Sequence, residues 1–177
     1  MSAPRILLEA RPGTGKTTVA RRLVRALEER GVEVSGFTTE EIREARRRVG
    51  FRVEAVSGES ATLAHVDLSG PPRVGKYGVD LQAFERIALP AVENPAGVVV
   101  IDELGKMELA SEWFTRAVSH LFDGDRPIVA TVHAFAHPFT DALKRRKGIR
   151  VIGVSATNRD ALPDELADLL VDYGAVT

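Results

Sequence analysis

The ten residues Glu9-Ala10-Arg11-Pro12-Gly13-Thr14-Gly15-Lys16-Thr17-Thr18 constrain this chain's fold more than any other stretch. An apolar burst, Ile6-Leu7-Leu8, precedes them, and Val19, Ala20, Leu23, Val24 and Leu27 recur after them on one helical face. Strand, glycine-rich turn, then helix is the context of a phosphate-binding P-loop. Gly13 and Gly15 let the backbone turn several N–H groups toward one point. The helix N-terminus adds partial positive charge there. In that frame Ala10, Arg11, Pro12, Gly13, Thr14, Gly15, Lys16, Thr17 and Thr18 are candidate nucleotide-binding residues. Lys16 reaches the β- and γ-phosphates, and the Thr17 hydroxyl is a candidate Mg²⁺ ligand. The strict pattern opens with glycine. Ala10 stands there instead, so it is expected in an ordinary β or α conformation.

A second motif lies downstream. Val98-Val99-Val100-Ile101 reads as a strand buried on both faces, and it runs into Asp102-Glu103. In a parallel sheet the C-terminal strand ends line one crevice, which brings Asp102 toward Lys16 and Thr17 as a metal ligand. Glu103 is the sharper clue: a carboxylate beside the metal-holding Asp can align a water with the γ-phosphorus. Lys106, in Glu103-Leu104-Gly105-Lys106-Met107-Glu108, is either a surface charge or a cation at the γ-phosphate. Glu103, Lys16 and Lys106 are therefore the candidate catalytic residues.

The rest of the chain alternates strands and helices. Strands are expected at 5–9, 33–38, 98–101, 127–132 and 149–154, the last one buried, and helices at 16–30, 80–93, 111–122, 138–147 and 159–170. Gly31 is the expected helix stop, and Asp80 and Ser111 are expected caps. Strands at 49–56 and 61–66 make an antiparallel hairpin that departs from this alternation. The Arg-rich stretch 40–48 reads as a solvated helix or loop face. The loop 69–80 is rich in Gly and Pro, and its Arg73, Lys76 and Tyr77 are candidate nucleotide-binding groups, with Tyr77 suited to stacking on any base. The fold expected is a single α/β P-loop domain over 1–177: a Rossmann-like, mainly parallel sheet with helices on both faces and an antiparallel addition at one edge.

Composition removes other classes. With 177 residues, 44% hydrophobic, the chain is long enough for one large core. Its net charge of −1 argues against a nucleic-acid or membrane partner. There is no cysteine for disulfide or thiolate chemistry. No apolar run approaches the roughly 20 residues that span a bilayer, and no signal peptide is recognisable, so a cytoplasmic location is the expectation. His133 and His137 have the spacing of a metal pair on a helix, but Pro138 interrupts it; His133 at a strand end, or Thr131, could instead sense the γ-phosphate. Lys144-Arg145-Arg146-Lys147 is most simply a solvated helix end.

The P-loop, Gly36-Phe37-Thr38-Thr39-Glu40-Glu41-Ile42-Arg43, Arg48-Val49-Gly50-Phe51, Arg73-Val74-Gly75-Lys76-Tyr77-Gly78-Val79-Asp80 and the segment 100–108 occur in that order. The set resembles the thermophile-type nucleoside-triphosphatase family, whose animal relatives are called cancer-related nucleoside-triphosphatases. That resemblance implies a monomeric, Mg²⁺-dependent enzyme that splits ATP, GTP and other nucleoside triphosphates to diphosphate and phosphate with broad base tolerance. A nucleotide or small-molecule kinase on the same fold is the alternative, with 43–48 as its only candidate lid, and a nucleotide-controlled RNA binder is the third reading. The family's usual opening is Thr-Gly before Arg-Pro-Gly. Here Glu9-Ala10 takes its place, and the Glu9 carboxylate would repel a polyphosphate unless it points away.

Overall fold

The computed structural model describes residues 2–174. Strands β1 (Arg5–Ala10), β2 (Val34–Glu44), β7 (Val98–Leu104), β8 (Ile128–His133) and β9 (Ile149–Gly153) run parallel. Strands β3 (Arg47–Ala55), β4 (Ser60–His65), β5 (Arg73–Val74) and β6 (Tyr77–Val79) pair antiparallel. Among the described residues these nine form one sheet in the order β5-β6-β4-β3-β2-β7-β8-β1-β9. The helices are α1 (Lys16–Glu29), α2 (Leu81–Glu93), α3 (Glu112–Asp123), α4 (Pro138–Lys144) and α5 (Leu162–Gly174). The expected α/β architecture with an antiparallel edge addition is the one observed.

Period-two alternation sorts side chains to two cores. On β1, Ile6, Leu8 and Ala10 join Val19, Leu23 and Leu27 of α1 and Leu166 and Leu170 of α5, while Leu7 faces the opposite core with α2 and α3. In that second core Phe37 of β2, Phe84 of α2 and Phe114 of α3 meet edge-on, with ring centroids 4.9–5.7 Å apart. Each such pair contributes about 0.5–1.5 kcal/mol beyond area burial. The cluster fixes the line of β2, whose next residues reach the crevice.

Asp80 and Ser111 cap α2 and α3 as expected, their side chains accepting from Ala83 N at 2.9 Å and Phe114 N at 3.1 Å. The Val32 N to Leu27 O bond closes α1 at Gly31. Two expectations need correction. The stretch 40–48 is neither helix nor loop: β2 continues to Glu44 and turns through Ala45 and Arg46, both at positive φ, into β3. The Glu41–Arg48 ion pair crosses this ribbon, and Arg43 also pairs with Glu41 along β2. Strand β9 is not buried, because it pairs only with β1 and leaves Arg150, Val151 and Gly153 exposed at the sheet edge.

Candidate active site

The turn between β1 and α1 sits at the C-terminal edge of the parallel strands. Gly13 and Gly15 hold φ of +81° and +106°, which L-residues rarely adopt, and Ala10 keeps an ordinary conformation. Helix α1 starts at Gly15 with no side-chain cap and no acidic residue in its first turn. Helices α2, α3 and α4 are all capped by their own side chains, from Asp80, Ser111 and His137. The first N–H groups of α1 are therefore free for an external anion.

Lys16 is buried, and its Nζ donates to the carbonyls of Ala10 at 2.8 Å and Val132 at 3.2 Å. It also stands 3.5 Å from Glu103 Oε2. Glu103 Oε1 meets His133 Nε2 at 2.8 Å. Burial pushes the Glu103 carboxyl upward, but the hydrogen bond and charge of His133, with the charge of Lys16, hold it below its ordinary value. Glu103 is thus held ionised between two donors.

Asp102 lies behind, 1% exposed. Its Oδ1 accepts from Thr131 Oγ1 at 2.7 Å, and its Oδ2 faces Thr39 N and Oγ1 at 3.4 Å each. The Thr17 hydroxyl also bonds to it. Burial raises its pKa, opposed by the Thr131 bond and reinforced by the Glu103 charge. These partners are neutral hydroxyls and an amide. Among the described residues no cation is paired with Asp102. A buried carboxylate supplied with neutral donors alone fits a divalent cation. Among the described residues no three His, Asp or Glu are grouped to hold a metal by themselves, so a cation held by Thr17 and Asp102 would draw its other ligands from phosphate and water.

Gly105 packs against Glu103: a Cβ there would lie 2.7 Å from Glu103 Oε1 and 2.9 Å from Glu108 Oε2. Glu108 is buried too, and burial, then the charges of Glu103 and Asp102, push its carboxyl well above its ordinary value. Lys106 is exposed on the rim of a pocket of about 220 Å³ lined also by His133, Phe135 and His137. It does not pair with the buried Glu108.

The candidate residues thus divide into two groups. The glycine turn, Lys16, Thr17, Asp102 and Glu103 converge, with Lys106 alongside. Arg73, Lys76 and Tyr77 do not join them, since five strands separate β6 from β1. Tyr77 is buried, its hydroxyl bonded to Arg48 Nε at 2.9 Å and its ring edge-on to Phe51, so it has no face free for a base. Arg73 donates to the carbonyls of Leu68 and Lys76. Glu9 points away from the turn by the same alternation that sends Leu7 to the opposite core, and it pairs with Lys144 of α4. His137 caps α4 rather than pairing with His133 for a metal. Residues 144–147 are half neutralised, Lys144 by Glu9 and Arg146 by Asp123. His133, a candidate γ-phosphate sensor by its place at a strand end, is set against Glu103, while Thr39 on Asp102 was not anticipated. A polar residue at the end of a strand that neighbours the Asp-Glu strand was the available signal.

A family model described as NTPase matches residues 5–167. The chain belongs to this NTPase family. The nucleoside-triphosphatase THEP1 of Thermotoga maritima is 37% identical over 169 residues, covering 94% of this chain and 95% of that one. That of Methanosarcina acetivorans is 40% identical, covering 93% and 95%. The crystal structure of THEP1 from the hyperthermophile Aquifex aeolicus superimposes with a TM-score of 0.83 at 32% identity, covering 94% of this chain and 98% of that one. The solution structure of a human cancer-related nucleoside triphosphatase does so with 0.82 at 35%, covering 96% and 98%. The family is one of hydrolases acting on nucleoside triphosphates, and this chain is such an enzyme. No helix among the described residues is long and apolar enough to cross a membrane.

Proposed function

We propose that the chain hydrolyses nucleoside triphosphates to diphosphate and phosphate with Mg²⁺, tolerating any base. One observation carries this reading: a buried lysine from the glycine turn meets a carboxylate from β7 at 3.5 Å, at the uncapped start of α1. The amides of residues 13–17 and the Lys16 ammonium grip the β- and γ-phosphates. Thr17 and Asp102 would hold the cation, which when bound neutralises charge across the β- and γ-oxygens. Glu103, oriented by His133 and kept ionised, accepts a hydrogen bond from the attacking water and aligns it with the γ-phosphorus. Lys106 on the rim supplies positive charge for the transition state. Breadth of substrate follows because all these groups face phosphate, cation or water.

The test is phosphate release from ATP, GTP, CTP, UTP and their deoxy forms, with Mg²⁺ and with chelator, and with no acceptor present. Release from all eight, abolished by chelator, is the expected result. Release confined to one base would overturn the breadth, and release undiminished in chelator would overturn the metal.

A further inference from the structure

With Tyr77 taken up by Arg48 and Phe51, the nucleoside must meet other groups, and the strand order says where. Glu103 lies near the end of β7, on the β8 side of β1, and Lys16 pairs with it. A terminal phosphate gripped there leaves an extended polyphosphate to run across the start of α1 toward the other side of β1, where β9 ends. The segment 154–161 after β9 forms that wall. It is a built loop: the Asn158 carboxamide accepts from Ser155 N at 2.8 Å and donates to Gly153 O at 2.7 Å, and the Ser155 and Thr157 hydroxyls lie 2.8 Å apart. From it Arg159 reaches onto the glycine turn. Its Nη1 donates to Thr14 O at 3.2 Å, and its Cδ lies 3.5 Å from where a Cβ on Gly15 would stand. Arg159 is nevertheless exposed, and among the described residues no carboxylate is paired with it, since neighbouring Asp160 faces Arg22.

Resting on the nucleotide site proposed above, we infer that Arg159 is the nucleoside subsite: its guanidinium plane, propped on the glycine turn, receives the base by stacking. Every base has a π-face and no edge is read, so this contact gives affinity without base choice. It also explains why no base-reading pattern is visible in the sequence. The one hydrogen bond to Thr14 orients the plane and leaves its outer face to the ligand.

Calorimetric titration of the full chain with ADP and with inorganic pyrophosphate, both with Mg²⁺, separates a nucleoside contact from a phosphate contact. Arg159→Ala is expected to weaken ADP about tenfold, the scale of a desolvated cation–π contact, and pyrophosphate less than twofold. Arg159→Lys, which keeps the charge but not the plane, is expected to recover part of the loss. An equal loss for both ligands, an unchanged ADP affinity, or full recovery by lysine would overturn the subsite. If the wild-type chain bound neither ligand, the nucleotide site itself would fall, and this subsite with it.

Discussion

Replacing Asp102 with asparagine is expected to make the metal-free protein more stable while abolishing turnover. The carboxylate is 1% exposed and its partners are hydroxyls of Thr131, Thr39 and Thr17 and one amide. None of them cancels its charge, and Glu103 next door opposes it. Asn keeps the shape and the acceptor, and its NH₂ can donate to Thr131 once that hydroxyl rotates. Removing an incompletely satisfied buried charge is worth roughly 1–3 kcal/mol. For a chain of this size each kcal/mol moves Tm by about 2–4 °C. The sign with pH follows from the raised pKa: the ionised acid costs stability above its folded-state pKa, and the cost fades as pH falls toward the ordinary value near 4. The variant should therefore exceed the wild type in thermal melts at pH 7.5 with chelator and lose that lead near pH 4. With Mg²⁺ and a nucleotide, only the wild type should gain. A variant less stable than the wild type in chelator at pH 7.5 would refute the reasoning, and would make the Asp102 hydrogen bonds a structural tie instead of a cation site.

His133→Ala removes the strongest influence holding the Glu103 carboxyl down, so the acid limb of the rate profile should move to higher pH as the base protonates more readily; an unmoved limb would remove His133 from the site. Gly105→Ala would press a methyl against the Glu103 and Glu108 carboxylates, at 2.7 and 2.9 Å. Since those are side-chain ends that can shift, thermal stability should hold while kcat falls about 10²-fold from misplacement of the base, and a fall in Tm with kcat intact would contradict this.

The two motifs were legible because each carries backbone constraints in one short stretch: positive-φ glycines before a helix, and four apolar residues before two acids. The extent of the β2–β3 ribbon was not. Its turn is Ala45-Arg46, without the Asn or Gly that usually marks two positive-φ residues, and the side-chain link across its strands is the Glu41–Arg48 ion pair instead of an apolar period. Strand β9 has the composition of a buried strand but sits at the edge, a matter of strand order that no local pattern records. Tyr77 is a suitable stacking residue by type, yet its place on β6, with five strands between it and β1, and under Arg48 depends on long-range pairing. Glu9 is kept off the phosphate site by alternation along β1 and by Lys144, far away in sequence. His133 was marked by its place at a strand end, but its bond to Glu103 depends on the pairing of β7 with β8, and Arg159 reaches the glycine turn from the far end of the chain, so no spacing announced it.

Glu103 is the residue on which hydrolysis turns. Glu103→Gln keeps the shape opposite Lys16 and His133 but takes away the acceptor charge that aligns water. Single-turnover phosphate release from ATP, measured alongside ATP affinity, should show binding retained and the rate lowered by roughly 10²–10⁴-fold. A rate equal to that of the wild type at equal occupancy would contradict the account.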